Sequence, residues 1–95
     1  MLRVVAKHFI KAEMLDEFIR LSKQLVEETT KNDRGCISYA LFQDVDNPCT
    51  VAMLEEWESR EAADEHLKAK HFRDLVGQLV ACCEKPSDIT NYKPL

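Results

Sequence analysis

The stretch CISYALFQDVDNPCTVAMLEEW, residues 36–57, decides the fold of this chain. It contains two β-prone runs, Cys36 to Asp44 and Thr50 to Trp57, joined by the turn-rich segment VDNPC at residues 45–49. Two such runs around a short connection of this kind predict a β-hairpin. Neither run alternates cleanly between apolar and polar residues, which predicts strands covered on both faces.

The residues before the hairpin predict a strand followed by a helix. The stretch LRVVAKHFI, residues 2–10, alternates loosely between two faces and favours a strand. From Met14 to Thr30 apolar residues recur at helical spacing, as in an amphipathic helix. That helix should stop at the segment NDRG, residues 32–35, where Gly35 can adopt the positive φ that a helix exit often requires.

The residues after the hairpin predict a second helical region and a last strand. Ser59 suits a helix N-cap, and an apolar stripe continues beyond it, so one helix or two short helices should fill roughly residues 60–82. Pro86 ends this region, and Asp88 to Tyr92 predict a short closing strand. The resulting order is βαββαβ, an α+β fold with an antiparallel sheet in a single domain of residues 1–95.

The apolar character of both strand faces also predicts an assembly. Helices can cover one face of such a sheet, and the other face needs a second layer. In a chain of 95 residues the core is thin, and the simplest source of that layer is a second subunit. We therefore expect a homodimer.

Composition and charge exclude several classes of partner. Thirteen basic and seventeen acidic side chains give a net charge of −4, and no run of Lys or Arg exceeds two residues. This balance argues against binding to nucleic acid or to an anionic membrane. No apolar run approaches the roughly 20 residues that span a bilayer, and the N-terminus lacks the apolar core of a signal peptide, so a cytoplasmic protein is expected.

The cysteines and glycines give no sign of a metal or an organic cofactor. Cys36, Cys49, Cys82 and Cys83 are expected to be reduced thiols, and their spacing does not match a zinc site. The chain has two glycines, so it cannot contain the glycine-rich loop that binds flavin or nicotinamide dinucleotides. The sequence therefore predicts neither a metal nor a cofactor.

One cluster of residues suggests chemistry. Glu55 and Trp57 end the second β-prone run, and His66 and His71 follow in the second helical region. Counting by twos puts Glu55 and Trp57 on one face of their strand, and His8 shares a face with Val4 and Ala6 in the first strand. If both faces meet the helices, a carboxylate, an indole and up to three imidazoles border one cavity. The alternative is that these histidines are half-buried structural residues.

The same stretches resemble a known family. The segment LEEWES, residues 54–59, with the later His66-Leu67 and His71-Phe72 pairs, is similar to the signature of the antibiotic biosynthesis monooxygenases. The segment GCISY, residues 35–39, resembles the start of the second strand in that family. The resemblance implies a ferredoxin-like monomer whose sheet packs on that of a partner to form a dimeric α/β barrel. The ligand would bind between sheet and helices.

The family hosts several chemistries, which the resemblance leaves open. They include cofactor-independent oxygenation of quinols and polyketide anthrones, isomerisation of a phosphorylated autoinducer sugar, and haem degradation. The haem-degrading members carry an asparagine in the first strand, where this chain has His8, although Trp57 would match their tryptophan. This departure disfavours haem degradation.

The leading hypothesis is a cofactor-independent monooxygenase of a small quinol or polyphenol. His71 or His66 would be the general base, since a neutral imidazole can deprotonate an electron-rich phenol. Glu55 would orient a histidine or hold a substrate hydroxyl. The substrate would be bound by Trp57, His8, Tyr39, Phe42 and Phe72. The alternatives are an isomerase of a small oxygenated metabolite and a non-catalytic small-molecule binding module.

Overall fold

Four strands and three α-helices make up the fold. A computed structural model describes all 95 residues. The elements are β1 (Leu2–Phe9), α1 (Leu15–Asn32), β2 (Cys36–Gln43), β3 (Thr50–Trp57), α2 (Arg60–Lys68), α3 (Lys70–Ala81) and β4 (Asp88–Tyr92), with a short 3₁₀ turn at Ala12–Met14 before α1. The predicted βαββαβ order is confirmed, with the second helical region divided in two.

The strands form one antiparallel sheet in the order β2-β3-β1-β4. Val4 of β1 lies opposite Glu55 of β3, and Ala6 lies opposite both Met53 of β3 and Ile89 of β4. The ferredoxin-like α+β architecture predicted from the sequence is therefore present. The sheet of one chain is open, because β2 and β4 are its two edges.

The helices lie against one face of this sheet, where the core sits. Because side chains alternate along a strand, Val4 and Ala6 of β1 share a face with Met53 of β3, and all three are buried. The core is completed from the helical side, chiefly by Phe18, Leu21, Leu25, Leu75 and Leu79. The opposite face carries exposed apolar side chains, among them Phe42, Leu54 and Tyr92.

The second helical region breaks between α2 and α3. Ala69 has an extended backbone with a ψ of 145°, which lies outside the helical range, so α2 ends before it and α3 restarts at Lys70. Of the two alternatives predicted for residues 60–82, the pair of short helices is the correct one. None of the helices combines the length and apolar character that crossing a membrane would require.

The four cysteines are free thiols, as predicted. Cys82 is buried at the end of α3, and Cys36 is partly buried at the start of β2. Burial raises the pKa of the Cys36 thiol to about 11, with the nearby carboxylates adding to the shift. The thiol of Cys36 therefore stays protonated at neutral pH.

The turn between α1 and β2 depends on Gly35. This residue has a φ of +80°, a region that side chains disfavour. A Cβ atom built there would lie 2.6 Å from the Cβ of Ala62 in α2. The missing side chain thus allows both the turn and the close approach of α2.

Replacing Gly35 by Ala should destabilise the fold by about 2–4 kcal/mol, because backbone strain and a steric clash act together. Urea unfolding of the variant and the parent protein measures this loss. The matched control is Gly77→Ala in α3, where an added Cβ would meet nothing within 4 Å. That substitution should stabilise the protein by about 0.5–1 kcal/mol through helix propensity. Equal effects at the two glycines would contradict the role given to Gly35.

Candidate functional site

A cavity of about 710 Å³ lies between the helix-covered face of the sheet and helices α2 and α3. Its volume falls in the range of about 300–1,000 Å³ that is usual for small-molecule sites. The apolar lining includes Val4, Ala6, Leu25, Met53, Val76 and Leu79. The polar groups predicted from the sequence that reach it are His8, Tyr39, Glu55 and His66. An apolar wall with a few fixed polar groups is the usual character of a ligand site.

His66 is the imidazole that α2 contributes to the cavity. Its Nδ1 lies 2.6 Å from Oδ2 of Asp33, and its ring packs on Trp57 with centroids 4.9 Å apart and on Phe72 at 5.0 Å. An ionised carboxylate only accepts hydrogen bonds, so Nδ1 is the donor in this pair. The lone pair then resides on Nε2, which is the nitrogen left for a ligand.

The charge state of His66 suits a base. Burial lowers the pKa of this imidazole. The hydrogen bond to Asp33 and the negative charge of the Asp33 carboxylate act in the opposite direction. The net direction is downward, so His66 is neutral at pH 7 and its Nε2 can accept a proton.

Asp33 was not predicted as a site residue. The sequence predicted only that residues 32–35 terminate a helix, and α1 indeed ends at Asn32. The fold then brings the Asp33 carboxylate to His66, which lies 33 residues further along the chain. An acidic residue in a turn is common, so the sequence offered only a weak signal for this pairing.

Glu55 is the carboxyl group of the cavity. It lies opposite Val4 and Tyr39 in the sheet, and Nε1 of Trp57 donates a hydrogen bond of 2.9 Å to its Oε1. Burial raises the pKa of Glu55 to about 7, although the hydrogen bond from Trp57 lowers it. Near neutral pH this group therefore exists in both protonated and ionised forms, and it can donate or accept a proton.

The raised pKa of Glu55 predicts a fall of stability with pH. The folded protein holds this proton from the ordinary value of 4.5 up to about 7, whereas the unfolded chain releases it near 4.5. The contribution to the free energy of unfolding therefore declines between these values, by on the order of 3 kcal/mol, and is constant above pH 7. Urea unfolding from pH 4.5 to 8 is measured on the parent protein and on Glu55→Gln. The difference between the two pH curves gives the contribution of Glu55 to the free energy of unfolding. Parallel pH curves for the two proteins would contradict the prediction.

His8 lines the opposite end of the cavity. Its Nδ1 lies 2.6 Å from Oγ of Ser87, and burial lowers its pKa. His8 is four residues along β1 from Val4, which pairs with Glu55, so the two polar ends are about 13 Å apart along the strand. The predicted face of His8 is thus the observed one.

Three predicted site residues, Trp57, Phe42 and His71, do not line this cavity. Trp57 is fully buried behind it, where it packs on His66 and holds the carboxyl of Glu55. Phe42 lies on the opposite face of the sheet with 55% of its surface exposed, because the alternation that turns Tyr39 inward turns Phe42 outward. Phe72 does line the cavity, as predicted. Within one chain, Trp57 and Phe42 therefore lie outside the lining of the cavity.

His71 is the third predicted site residue outside the lining of the cavity. It would face the cavity if α2 and α3 were one helix, but the break at Ala69 redirects it. His71 instead borders a separate depression of about 610 Å³ formed by α1 and α3. Its Nε2 lies 3.0 Å from Oδ1 of Asp33, although the N–H direction does not meet the geometry of a hydrogen bond. The cavity thus contains one predicted base of the helical region, His66.

Comparison with known proteins agrees with this architecture. A crystal structure of a conserved protein from Methanosarcina mazei Go1 superimposes with a TM-score of 0.93 at 40% sequence identity, covering 97% of this chain and 90% of that one. A crystal structure described as an antibiotic biosynthesis monooxygenase gives a TM-score of 0.94 at 34% identity, covering 100% and 99% of the two chains.

A sequence relative and a family model identify the group. An uncharacterised protein of Synechocystis sp. is 31% identical over 84 residues, which make up 88% of this chain and 56% of that protein. The present chain thus spans little more than half the length of that relative. The family model described as antibiotic biosynthesis monooxygenase matches residues 1–78. The match covers β1 to α3 and the side chains of the cavity up to Val76, and so the chain belongs to the antibiotic biosynthesis monooxygenase family.

Proposed function

We propose that this protein is a monooxygenase that oxidises a small quinol or polyphenol in the 710 Å³ cavity with His66 as general base. The observation that carries the proposal is the pairing of His66 with Asp33 at the wall of an apolar cavity. The carboxylate fixes the imidazole tautomer, and Nε2 is left to take a phenolic proton. Family membership supports the oxygenase class.

Proton removal prepares the substrate for oxygen. A phenolate is electron-rich, so it can pass one electron to O₂, after which the substrate radical and superoxide combine into a peroxide. Loss of water from that peroxide leaves a hydroxyquinone, with one oxygen atom in the product and the other in water. The quinol supplies all of the electrons, and the proton taken by His66 returns to the departing oxygen.

The other cavity residues would bind and orient the substrate. Glu55 can hold a second hydroxyl group, since its carboxyl is both donor and acceptor near pH 7. Tyr39 and Phe72 provide aromatic surface beside His66. Burial raises the pKa of the Tyr39 phenol well above its ordinary value, so this residue stays neutral. Aromatic walls of this kind favour a flat substrate ring.

Oxygen consumption with a panel of hydroquinones and polyphenols tests the proposal. The expected result is saturable uptake of one O₂ per quinol, with a hydroxyquinone as product. Labelled ¹⁸O₂ should place one heavy atom in the product and one in water. Absence of uptake above the autoxidation rate for every member of the panel would contradict the oxygenase reaction.

An isomerase is the second candidate, and Glu55 is the observation that favours it. A carboxyl group with a pKa of about 7 and a neutral imidazole in one cavity form a donor and acceptor pair for enolisation. Arg60 and Lys85 line the cavity and could meet an anionic substrate, whereas Arg3 is paired with Glu56 at 2.8 Å. Solvent deuterium incorporation into a hydroxyketone without oxygen uptake would favour the isomerase. Ligand binding without either reaction would favour the binding module.

We propose, further, that the functional form is a homodimer joined through the sheets. Helices cover one face, whereas Phe42, Leu54 and Tyr92 are exposed on the other. An uncovered apolar sheet face supports burial against a second copy. This is also the arrangement that the family resemblance implies.

A further inference from the structure

Three side chains with metal-binding atoms converge beside the cavity. The carboxylate of Asp33 lies 2.6 Å from Nδ1 of His66 through Oδ2 and 3.0 Å from Nε2 of His71 through Oδ1. All of the candidate ligand atoms lie within 4.8 Å of one another. The three residues come from the α1–β2 turn, from α2 and from α3, so the tertiary fold assembles the group.

Hydrogen bonding accounts for only part of this cluster. The side chain of Asp33 is 8% exposed, and its carboxylate contacts the two imidazoles and no Lys or Arg. His66 makes a good hydrogen bond to it, whereas Nε2 of His71 is buried without a properly directed partner. A buried nitrogen that lies 3.0 Å from a carboxylate oxygen and makes no hydrogen bond is an unusual and costly arrangement. A cation bound between the two groups would satisfy both.

The surroundings favour the arrival of a cation. A depression of about 280 Å³ on the surface is lined by Asp33 and His66. Glu58, Glu61 and Glu65 also line it, against the single guanidinium of Arg34. Four carboxylates around one opening raise the local concentration of positive ions. The depression therefore offers a route from solvent to the cluster.

We propose that Asp33, His66 and His71 form a binding site for a divalent transition-metal ion of the Zn²⁺ and Co²⁺ type. Two imidazoles and one carboxylate suit such ions, and three protein ligands leave a position for water. With bonds of about 2.0–2.2 Å, tetrahedral ligands stand roughly 3.3 Å apart, so small rotations of the side chains suffice. The site shares His66 with the cavity, but its existence does not depend on the proposed oxygenase function.

The metal would also change the chemistry of His66. Coordination through Nδ1 places the ring proton on Nε2, so the imidazole becomes a donor and can no longer act as a base at the cavity. The metal-bound protein should therefore lose the base-dependent reaction, and a chelator should restore it. Binding itself can be measured without substrate, so a failure of the site and a failure of the oxygenase proposal are distinguishable.

Titration of chelator-treated protein with Co²⁺, followed by visible absorption, tests the site. The expected result is a saturable d–d spectrum with one Co²⁺ per chain, displaced by Zn²⁺. Asp33→Asn and His71→Ala should weaken binding at least tenfold, while His8→Ala, which removes the histidine outside the cluster, should bind like the parent protein. Circular dichroism confirms that each variant is folded.

Two results would overturn the proposal. One is Co²⁺ binding that is absent, or that is equally strong in the Asp33, His71 and His8 variants. The other is a strong near-ultraviolet charge-transfer band from sulfur to cobalt, which would assign the ion to the cysteines instead.

Discussion

Replacing His66 by Asn should lower kcat for quinol oxidation by about 10²–10⁴-fold, the usual contribution of a general base. The asparagine amide can still donate a hydrogen bond to Asp33 from near the position of Nδ1, but it has no counterpart of Nε2. The variant therefore removes the proton acceptor and retains the partner of the buried carboxylate. Steady-state oxygen uptake, with chelator present throughout, measures the loss.

The melting temperature must be measured on the same variant, because His66 packs in an aromatic cluster with Trp57, Tyr39 and Phe72. His66→Ala would leave Asp33 without its hydrogen bond, at a cost of roughly 1–3 kcal/mol in stability. A structural residue would show this loss of stability with little change in rate per folded molecule.

His8→Asn provides the matched control for the base. It makes the same substitution at the opposite polar end of the same cavity, beside Ser87. We expect this variant to change KM more than kcat, since His8 would contact the substrate away from the reacting hydroxyl. Equal losses of kcat at His8 and His66 would contradict the assignment of one base. Full activity of His66→Asn would show that the substrate ionises without an enzyme base.

The strand pattern predicted which side chains share a face of each strand, because alternation along a strand is strict. Counting by twos placed Glu55 with Trp57 on one face of β3, and His8 with Val4 and Ala6 on one face of β1. In the structure both of these faces meet the helices, and His8 and Glu55 line the cavity. This alternation tells which face of the sheet a side chain lies on, but it does not tell how deeply the side chain is buried. Trp57 shares the face of Glu55 and is nevertheless buried behind the cavity wall.

The helical side of the site was harder to predict. Ala69 is a good helix former, so the break between α2 and α3 has no proline or glycine to announce it. That break removes His71 from the cavity and turns it toward Asp33. The pairing of Asp33 with His66 joins a turn to a helix distant in sequence, and such contacts depend on tertiary packing that local patterns do not contain.

Replacing Phe42 by Glu should convert the protein from dimer to monomer. Phe42 lies on the sheet face away from the helices, where burial against a second sheet would leave the new carboxylate without water or a partner. Light scattering at micromolar concentration should report about twice the 11.0 kDa chain mass for the parent protein and a single chain mass for the variant.

Leu67→Glu is the control for that substitution, because Leu67 is an apolar residue of α2 with 54% exposure, close to the 55% of Phe42. It lies on the helical side of the molecule at the cavity, so the same change of charge should leave the dimer intact. Dissociation by Leu67→Glu alone would move the interface to the helices. A parent protein that is monomeric and stably folded at these concentrations would exclude the dimer altogether, and the exposed Phe42, Leu54 and Tyr92 would then need another explanation.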